Sequence, residues 1–324
     1  MRTSTTVARA EFTNALIAIY KDRVPPTSFL RSFFKKVEKT TLSLSIAVQR
    51  GTEMIAVDVE RGTDGNRNKF GCSKEKIFVP TYYSEYFNLN ELEVYDRLFT
   101  DTDIESSVFS EFVTAVAEKM MMLVEKIERA YELQCAQVLT TGIVQLQSGI
   151  NIDFKRKAES LVDLGNTFYW NQANVDPVTS LIAAGDFLRT KGLATGAYLD
   201  VIMGAGVLVP LLNNEAVQNR GKIFNYALDT ITTPQAKSFG ATFHGEISAG
   251  VYRCRLWSYN QYYDDVTTGV KTPYLDDKKI IVLPENPDFV LGFAAVPQLP
   301  TAGQGIKKGA YIYEDYIDGR KKNH

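Results

Sequence analysis

Apolar side chains alternate with small or polar ones from Thr41 to Val48, where Leu42, Leu44, Ile46 and Val48 interleave with Thr41, Ser43, Ser45 and Ala47. A period of two is the repeat of a strand with one buried face. The pattern returns at Ile55, Val57 and Val59, with Asp58 and Glu60 on the opposite face, and Ile77, Val79, Tyr82 and Tyr83 read as a returning strand. Between them, Arg61 to Gly71 is polar and glycine-bearing, as turn regions are. The stretch from Thr40 to Leu89 is therefore expected to form long antiparallel ribbons with a charged tip. Arg61, Asp64, Arg67 and Lys69 crowd that tip. Solvation alone accounts for such charges; the sharper reading makes them contacts with an adjacent copy of the chain.

The period then lengthens. Ile104, Val108, Phe112, Val116, Met120, Leu123, Ile127, Ala130, Tyr131 and Val138 form a helical stripe, with Glu118, Glu125, Lys126, Glu128 and Arg129 on the wet side. Asp101, Thr102 or Asp103 can cap the start and Gly142 marks the end. One helix of about 38 residues within 103–142 would be a rod of roughly 55 Å. Met120, Met121 and Met122 are expected to pack in the core rather than bind a ligand.

Shorter elements flank it. Phe12, Leu16, Ile17 and Tyr20 suggest an amphipathic helix over Glu11 to Lys21, stopped by Pro25-Pro26. Phe29, Leu30, Phe33 and Phe34 follow as a dense apolar cluster that packs either on the chain's own core or on a neighbouring subunit. After Gly142 come short strands through Ile143, Val144 and Leu146, then Ile150 and Ile152, and an aromatic knot at Phe168-Tyr169-Trp170. Asp176 suits a helix N-cap and Pro177 its first turn, with Leu181, Ile182, Phe187 and Leu188 as the apolar face. Tyr198 to Met203 reads as a buried strand, Gly206 to Asn213 as a short helix and Ile280 to Leu283 as another buried strand. From Gly221 onward the signal is rich in Thr, Gly and Tyr and β-like. The fold class is α+β.

Composition narrows the function. The 324 residues are 45% hydrophobic and 23% charged, an ordinary globular balance. A net charge of -2 supplies no global basic field for holding nucleic acid tightly. Cys72, Cys135 and Cys254 form no CxxC pair, so neither a zinc site nor a disulfide framework is indicated, and reduced thiols are expected. Met1 to Ala10 lacks the apolar core of a signal peptide, and no run approaches the roughly 20 apolar residues of a membrane span.

No catalytic constellation emerges. Of the two histidines, His244 and His324, only His244 could serve a triad, and no nucleophile elbow lies near it; a backbone-bonded strand or loop residue is expected. Gly204-Ala205-Gly206 is half a dinucleotide fingerprint, with Val209 where the third glycine belongs. Gly221-Lys222 lacks the remaining residues of a phosphate loop. Asp264-Asp265 and Asp276-Asp277 lack EF-hand spacing and read as solvated acidic surface. No catalytic, cofactor or metal residues are assigned.

The order of parts resembles the lambda-type major capsid family of tailed bacteriophages. The residues that carry the resemblance are Pro25-Pro26-Thr27-Ser28-Phe29-Leu30 with Phe33-Phe34, the strand Ile55 to Gly62, and the helix end Ile127 to Gly142. Trp170 followed by Asp176-Pro177, and Val201-Ile202-Met203-Gly204 before Leu212-Asn213-Asn214, complete the set. The Tyr-rich stretch Val251 to Tyr274 and the tail Gly303 to His324, which ends in the basic Arg320, Lys321 and Lys322, fit it only loosely.

The resemblance implies an HK97-like capsid fold: an N-terminal arm (1–39), an extended β-hairpin loop (40–99), a peripheral domain (100–192) with its spine helix at 103–142, an axial domain (193–284), and a return to the peripheral domain with a C-terminal tail (285–324). It implies a structural protein, not an enzyme, that assembles with itself into hexamers and pentamers of an icosahedral shell around phage double-stranded DNA, with non-specific DNA contact and no membrane. Candidate inter-subunit contacts are Arg61, Asp64, Arg67, Lys69, Phe29, Leu30, Phe33 and Phe34. A separate scaffolding protein, a portal and a decoration protein are candidate partners, and the expected location is the virion capsid, built in the host cytoplasm. An encapsulin-type cellular compartment, or another phage ring or tube protein, is the alternative.

Overall fold

The computed structural model describes residues 26–48, 74–78, 80–86, 107–146, 149, 151–165, 169–172, 174–218, 235–236 and 240–295. The chain divides into two compact units, one of Met1–Phe34 with Glu85–Asp288, the other of Lys35–Ser84 with Phe289–His324.

The first unit contains the long helix. It runs unbroken as α1 over Ser107–Thr140, 34 residues and hence about 50 Å. No Gly or Pro interrupts it. Its final turn is closed locally: Thr140 Oγ1 donates to the Ala136 carbonyl at 2.7 Å, and Gly142 N to Val138 O at 3.0 Å. Gly142 then leaves the helix at φ +77°, a left-handed conformation natural to glycine. The Arg156 guanidinium donates to the freed Leu139 carbonyl, placing a cation where the helix dipole is negative. The candidate caps Asp101, Thr102 and Asp103 lie outside the described residues, as do the amphipathic segment Glu11 to Lys21 and the strand Ile55 to Val59.

The buried face of α1 is rotated from the expected stripe. Fully buried positions are Val116, Ala117, Met121, Glu132, Cys135, Ala136 and Leu139, whereas Leu123, Ile127, Ala130 and Tyr131 are half buried. Met121 is core, but Met122 is 66% exposed, correcting the expectation for the methionine triplet. The reason is the carboxylate of Glu132: a charged residue in the buried line displaces a stripe drawn through apolar residues alone.

Beyond α1, β4 (Ile143–Gln145) pairs with β5 (Asn151–Asp153) antiparallel. Helix α2 spans Pro177–Gly192, and Asp176 caps it by accepting from Val178 N at 3.0 Å and Thr179 Oγ1 at 3.1 Å. The short α3 covers Leu208–Asn213, starting two residues later than expected. Strands β6 (Tyr198–Met203), β7 (Gln235–Ala236), β8 (Ala241–Ala249), β9 (Tyr252–Tyr259) and β12 (Ile280–Pro284) build one sheet in the order β12-β6-β9-β8-β7. Only β6 and β9 run parallel, in the register Tyr198↔Arg253 to Met203↔Ser258. The hairpin β10 (Tyr262–Asp264) and β11 (Lys271–Pro273) stands beside it in the chain.

That sheet is buried on both sides, which explains why β6 reads as a continuous apolar run. Leu199, Val201, Met203, Cys254 and Leu256 share one core with Val178 and Leu181 of α2 and Leu211 of α3. Alternate residues, Asp200, Ile202, Trp257 and Tyr259, take the other face.

The second unit holds two two-stranded ladders: β1 (Phe34–Glu38) with β13 (Phe289–Phe293), and β2 (Leu44–Val48) with β3 (Lys74–Phe78). The β2/β3 register runs Leu44↔Phe78 to Val48↔Lys74, so the expected hairpin is present. Two details differ. Leu42 precedes the strand and is 62% exposed, and residues 80–86 carry no strand, so Tyr82 and Tyr83 are not part of the return.

One close approach tests the packing. A Cβ on Gly185 of α2 would stand 2.6 Å from the ring of Tyr252, whose hydroxyl donates to Asp186 Oδ1 at 2.9 Å. Alanine gains about 1 kcal/mol over glycine inside a helix, but overpacking costs about 1–3 kcal/mol. Gly185→Ala should therefore lower the denaturant midpoint. Gly192→Ala, where the nearest atom is Leu188 Cδ2 at 4.0 Å, should leave it unchanged or raised.

Candidate functional site

The second face of the sheet receives the start of the described chain. Residues Arg31–Phe33 form a 3-10 turn, begun when Ser32 N bonds to the Ser28 and Phe29 carbonyls. This turn points the Phe29 ring at the sheet, 5.3 Å from the Trp257 ring and 5.8 Å from that of Tyr259. Phe33 closes the group edge-on to Phe29, with centroids 5.3 Å apart. Such pairs add about 0.5–1.5 kcal/mol each to the burial of their rings.

A single carboxylate fastens the turn. Glu132 of α1 is 0% exposed. Its Oε1 accepts from Leu30 N at 2.8 Å and from the Tyr259 hydroxyl at 2.7 Å, and its Oε2 accepts from Arg31 N at 3.0 Å. Thr27 Oγ1 lies 3.1 Å from the Tyr259 hydroxyl. With Tyr259 donating to Glu132, Thr27 must donate to Tyr259, because a phenol carries one proton. The helix, the arm root and the sheet thus meet on two oxygen atoms.

The electrostatics follow from burial. Desolvation pushes the Glu132 carboxyl above its ordinary value, against the pull of its hydrogen bonds and of the Arg31 cation. The Tyr259 phenol rises through burial and the neighbouring carboxylate. Burial first, then Glu132, carries Tyr274 up to about 12. The Cys135 thiol is likewise pushed up to about 12 by burial and Glu132, so it is inert rather than nucleophilic.

A second buried carboxylate spans the parallel pair. Asp200 of β6 accepts from Arg255 Nη2 and Trp257 Nε1 of β9, each at 2.9 Å. His244 sits at an irregularity of β8, between Phe243 and Gly245, and bonds through Nε2 to Ser258 Oγ at 2.7 Å. Its partner is therefore a side chain rather than the expected backbone. Among the described residues, no group of three or more His, Cys, Asp or Glu could hold a metal ion, and no helix is long and apolar enough to cross a membrane.

Of the candidate contact residues, Phe29 and Leu30 are buried within their own subunit, at 2% and 0% exposure, while Phe33 and Phe34 are half buried. Arg61, Asp64, Arg67 and Lys69 lie outside the described residues. Thr27, Glu132 and Tyr259 escaped the sequence reading. A signal did exist: Glu132, Cys135, Ala136 and Leu139 occupy i, i+3, i+4 and i+7, so the glutamate opens an apolar helical quartet.

Glu132→Ala would strand two backbone N–H groups and the Tyr259 hydroxyl. Each orphaned buried donor costs about 1–3 kcal/mol, so unfolding followed by circular dichroism should register a loss of at least about 3 kcal/mol. Tyr259→Phe, which removes one bond to the carboxylate, should lose about 1.5–3 kcal/mol.

The comparisons with known proteins agree with this architecture. Eleven chains of solved structures match. Among them, the crystal structure of a prophage protein of E. coli CFT073, described as a candidate capsid protein, aligns with a TM-score of 0.55 and 13% identity over 89% of this chain and 84% of that one. At that identity the likeness speaks for the fold alone. No curated protein sequence matches. The family model described as phage major capsid protein E matches residues 12–312, nearly the whole length. A capsid family is structural rather than catalytic and its place is the virion; this chain belongs to the phage major capsid protein E family.

Proposed function

We propose that the chain is the shell subunit of a phage head, with an HK97-like fold, assembling into hexamers and pentamers of an icosahedral container for double-stranded DNA. The observation that carries this reading is the match of residues 12–312 to the major capsid family. The unbroken α1 supports a spine helix, and a five-stranded sheet contained within 198–284 supports an axial domain over 193–284. The peripheral domain would then take 100–192. A near-neutral chain of net charge -2 fits a wall that contacts packed DNA weakly and without reading sequence. A separate scaffolding protein, a portal and a decoration protein complete the proposal, with assembly in the host cytoplasm.

The contact surfaces follow from the same reading. Phe29 and Leu30 are spent inside the subunit, which leaves Phe33 and Phe34 as the arm's apolar contacts. Every pair in the β2/β3 register lies symmetrically about position 61. A ladder continued in that register would turn at Arg61, beside Asp64, Arg67 and Lys69, so we assign these four charges to the tip of the extended loop and to an adjacent subunit.

Purified protein examined by electron microscopy should form shells or rings; a stable monomer at every concentration would sink the proposal. Reversing the charges of Arg61 and Arg67 together should leave the melting curve nearly unchanged, since a surface pair contributes about 0–1 kcal/mol. It should nonetheless impair assembly in sedimentation, more at low salt where screening is weak. Assembly like the unmodified protein at all salt concentrations would reduce the tip to a solvated turn.

A further inference from the structure

Charge is divided unevenly between the two compact units. Lys35–Ser84 with Phe289–His324 carries 14 Lys and Arg against 9 Asp and Glu, a net +5. Met1–Phe34 with Glu85–Asp288 carries 22 against 29, a net -7. Setting aside Glu132 and Asp200, which are buried, still leaves this acidic unit at -5. The net charge of -2 for the whole chain therefore conceals two units of opposite sign.

The described residues expose these charges. In the cationic unit, Lys35 and Lys36 of β1 and Lys39 just after it face solvent. Glu38 meets Lys36 at 2.8 Å, and β13, the ladder partner of β1, has no charged residue. In the acidic unit, Glu118 of α1, Glu159 of the turn after β5, Glu215 after α3 and Asp277 before β12 are exposed. These four lie on separate elements, so the acidic character belongs to the unit and not to one cluster.

We infer that copies of this chain meet through unlike units, the cationic unit of one copy against the acidic unit of the next. This rests on the shell reading and adds which surfaces meet. A two-fold contact puts one patch against itself, which here sets +5 against +5 or -7 against -7. A head-to-tail contact sets +5 against -7 and repeats in one sense around a ring. At about 0.1 M salt charges are screened beyond about 10 Å. The facing units then outweigh the small repulsion between whole chains of -2. Opposite charges speed the encounter and fix its register, whereas like units repel.

The test is the initial rate of assembly of the full chain, followed by light scattering between about 0.05 M and about 0.5 M sodium chloride. The unmodified protein should slow by at least about tenfold across that range, as steered association does. A six-residue variant combines Lys35→Glu, Lys36→Glu and Lys39→Glu with Glu118→Lys, Glu159→Lys and Glu215→Lys. It brings both units to -1 and keeps the net charge at -2. At low salt it should assemble at least about tenfold more slowly than the unmodified protein, and its rate should no longer fall as salt is added. An unmodified rate that is flat or rises with salt, or a variant that keeps the fall, overturns the inference. An unmodified protein that assembles at no salt concentration rejects the shell itself, and this inference with it. Should the six-residue variant fail to fold, the salt profile of the unmodified protein decides alone.

Discussion

A buried carboxylate with three donors organises the first unit. Desolvating an ion costs several kcal/mol, and Glu132 offsets that cost only because donors from two other segments converge on it. No one of those segments satisfies it alone. The helix supplies the acceptor, the 3-10 turn two backbone donors and β9 the phenol. Loss of Glu132 leaves three donors without the acceptor they share, and loss of either other segment leaves the carboxylate short of donors, so the contact carries more specificity than its hydrogen bonds would suggest singly. It fixes where the arm root sits along α1 and which way the turn faces. An apolar cluster such as Phe29 with Trp257 and Tyr259 tolerates sliding; a carboxylate bonded at both oxygens does not.

The same logic recurs one strand away. Asp200 holds Arg255 and Trp257 across the parallel β6/β9 pair, and Arg255 also lies over the Tyr198 ring at 5.5 Å. Parallel pairing is possible there because a long connection joins β6 to β9, and a parallel ladder is slightly weaker per residue than an antiparallel one. A side-chain bridge in the centre of the register compensates. It also leaves Trp257 oriented for Phe29, so the indole serves both carboxylate and arm.

Much of this was legible in the sequence. Periodicity identified α1, α2 and the β2/β3 hairpin, and apolar runs identified β6 and β12. The Asp176-Pro177 start and the Gly142 stop were readable because caps rest on local chemistry. The arm dock was not, for a physical reason. Leu30, Glu132 and Tyr259 are separated by about a hundred residues or more at each step, and a charged residue in a helix scores as surface until its partners are known. The same blindness shifted the stripe of α1 and placed Met122 in the core. Strand propensity also misleads at boundaries: Pro80 punctuates the return two residues after Phe78, and Tyr82 and Tyr83 lie in no strand despite their propensity.

No residue of the second unit whose side chain is described is buried. Its described strands form only two-stranded ladders, β1 with β13 and β2 with β3. A two-stranded ribbon is marginal in water because it has little apolar surface to bury and exposes backbone on both edges. Ile77 of β3 is indeed 71% exposed. Contrast the five-stranded sheet, covered on one face by α2 and α3 and reached on the other by the arm root. A subunit that concentrates its core in one unit and extends ribbons in another has kept part of its burial in reserve. In a self-assembling shell that reserve is what neighbouring copies would supply, so folding could be secured by the Glu132 and Asp200 networks while assembly draws on surfaces the monomer leaves uncovered.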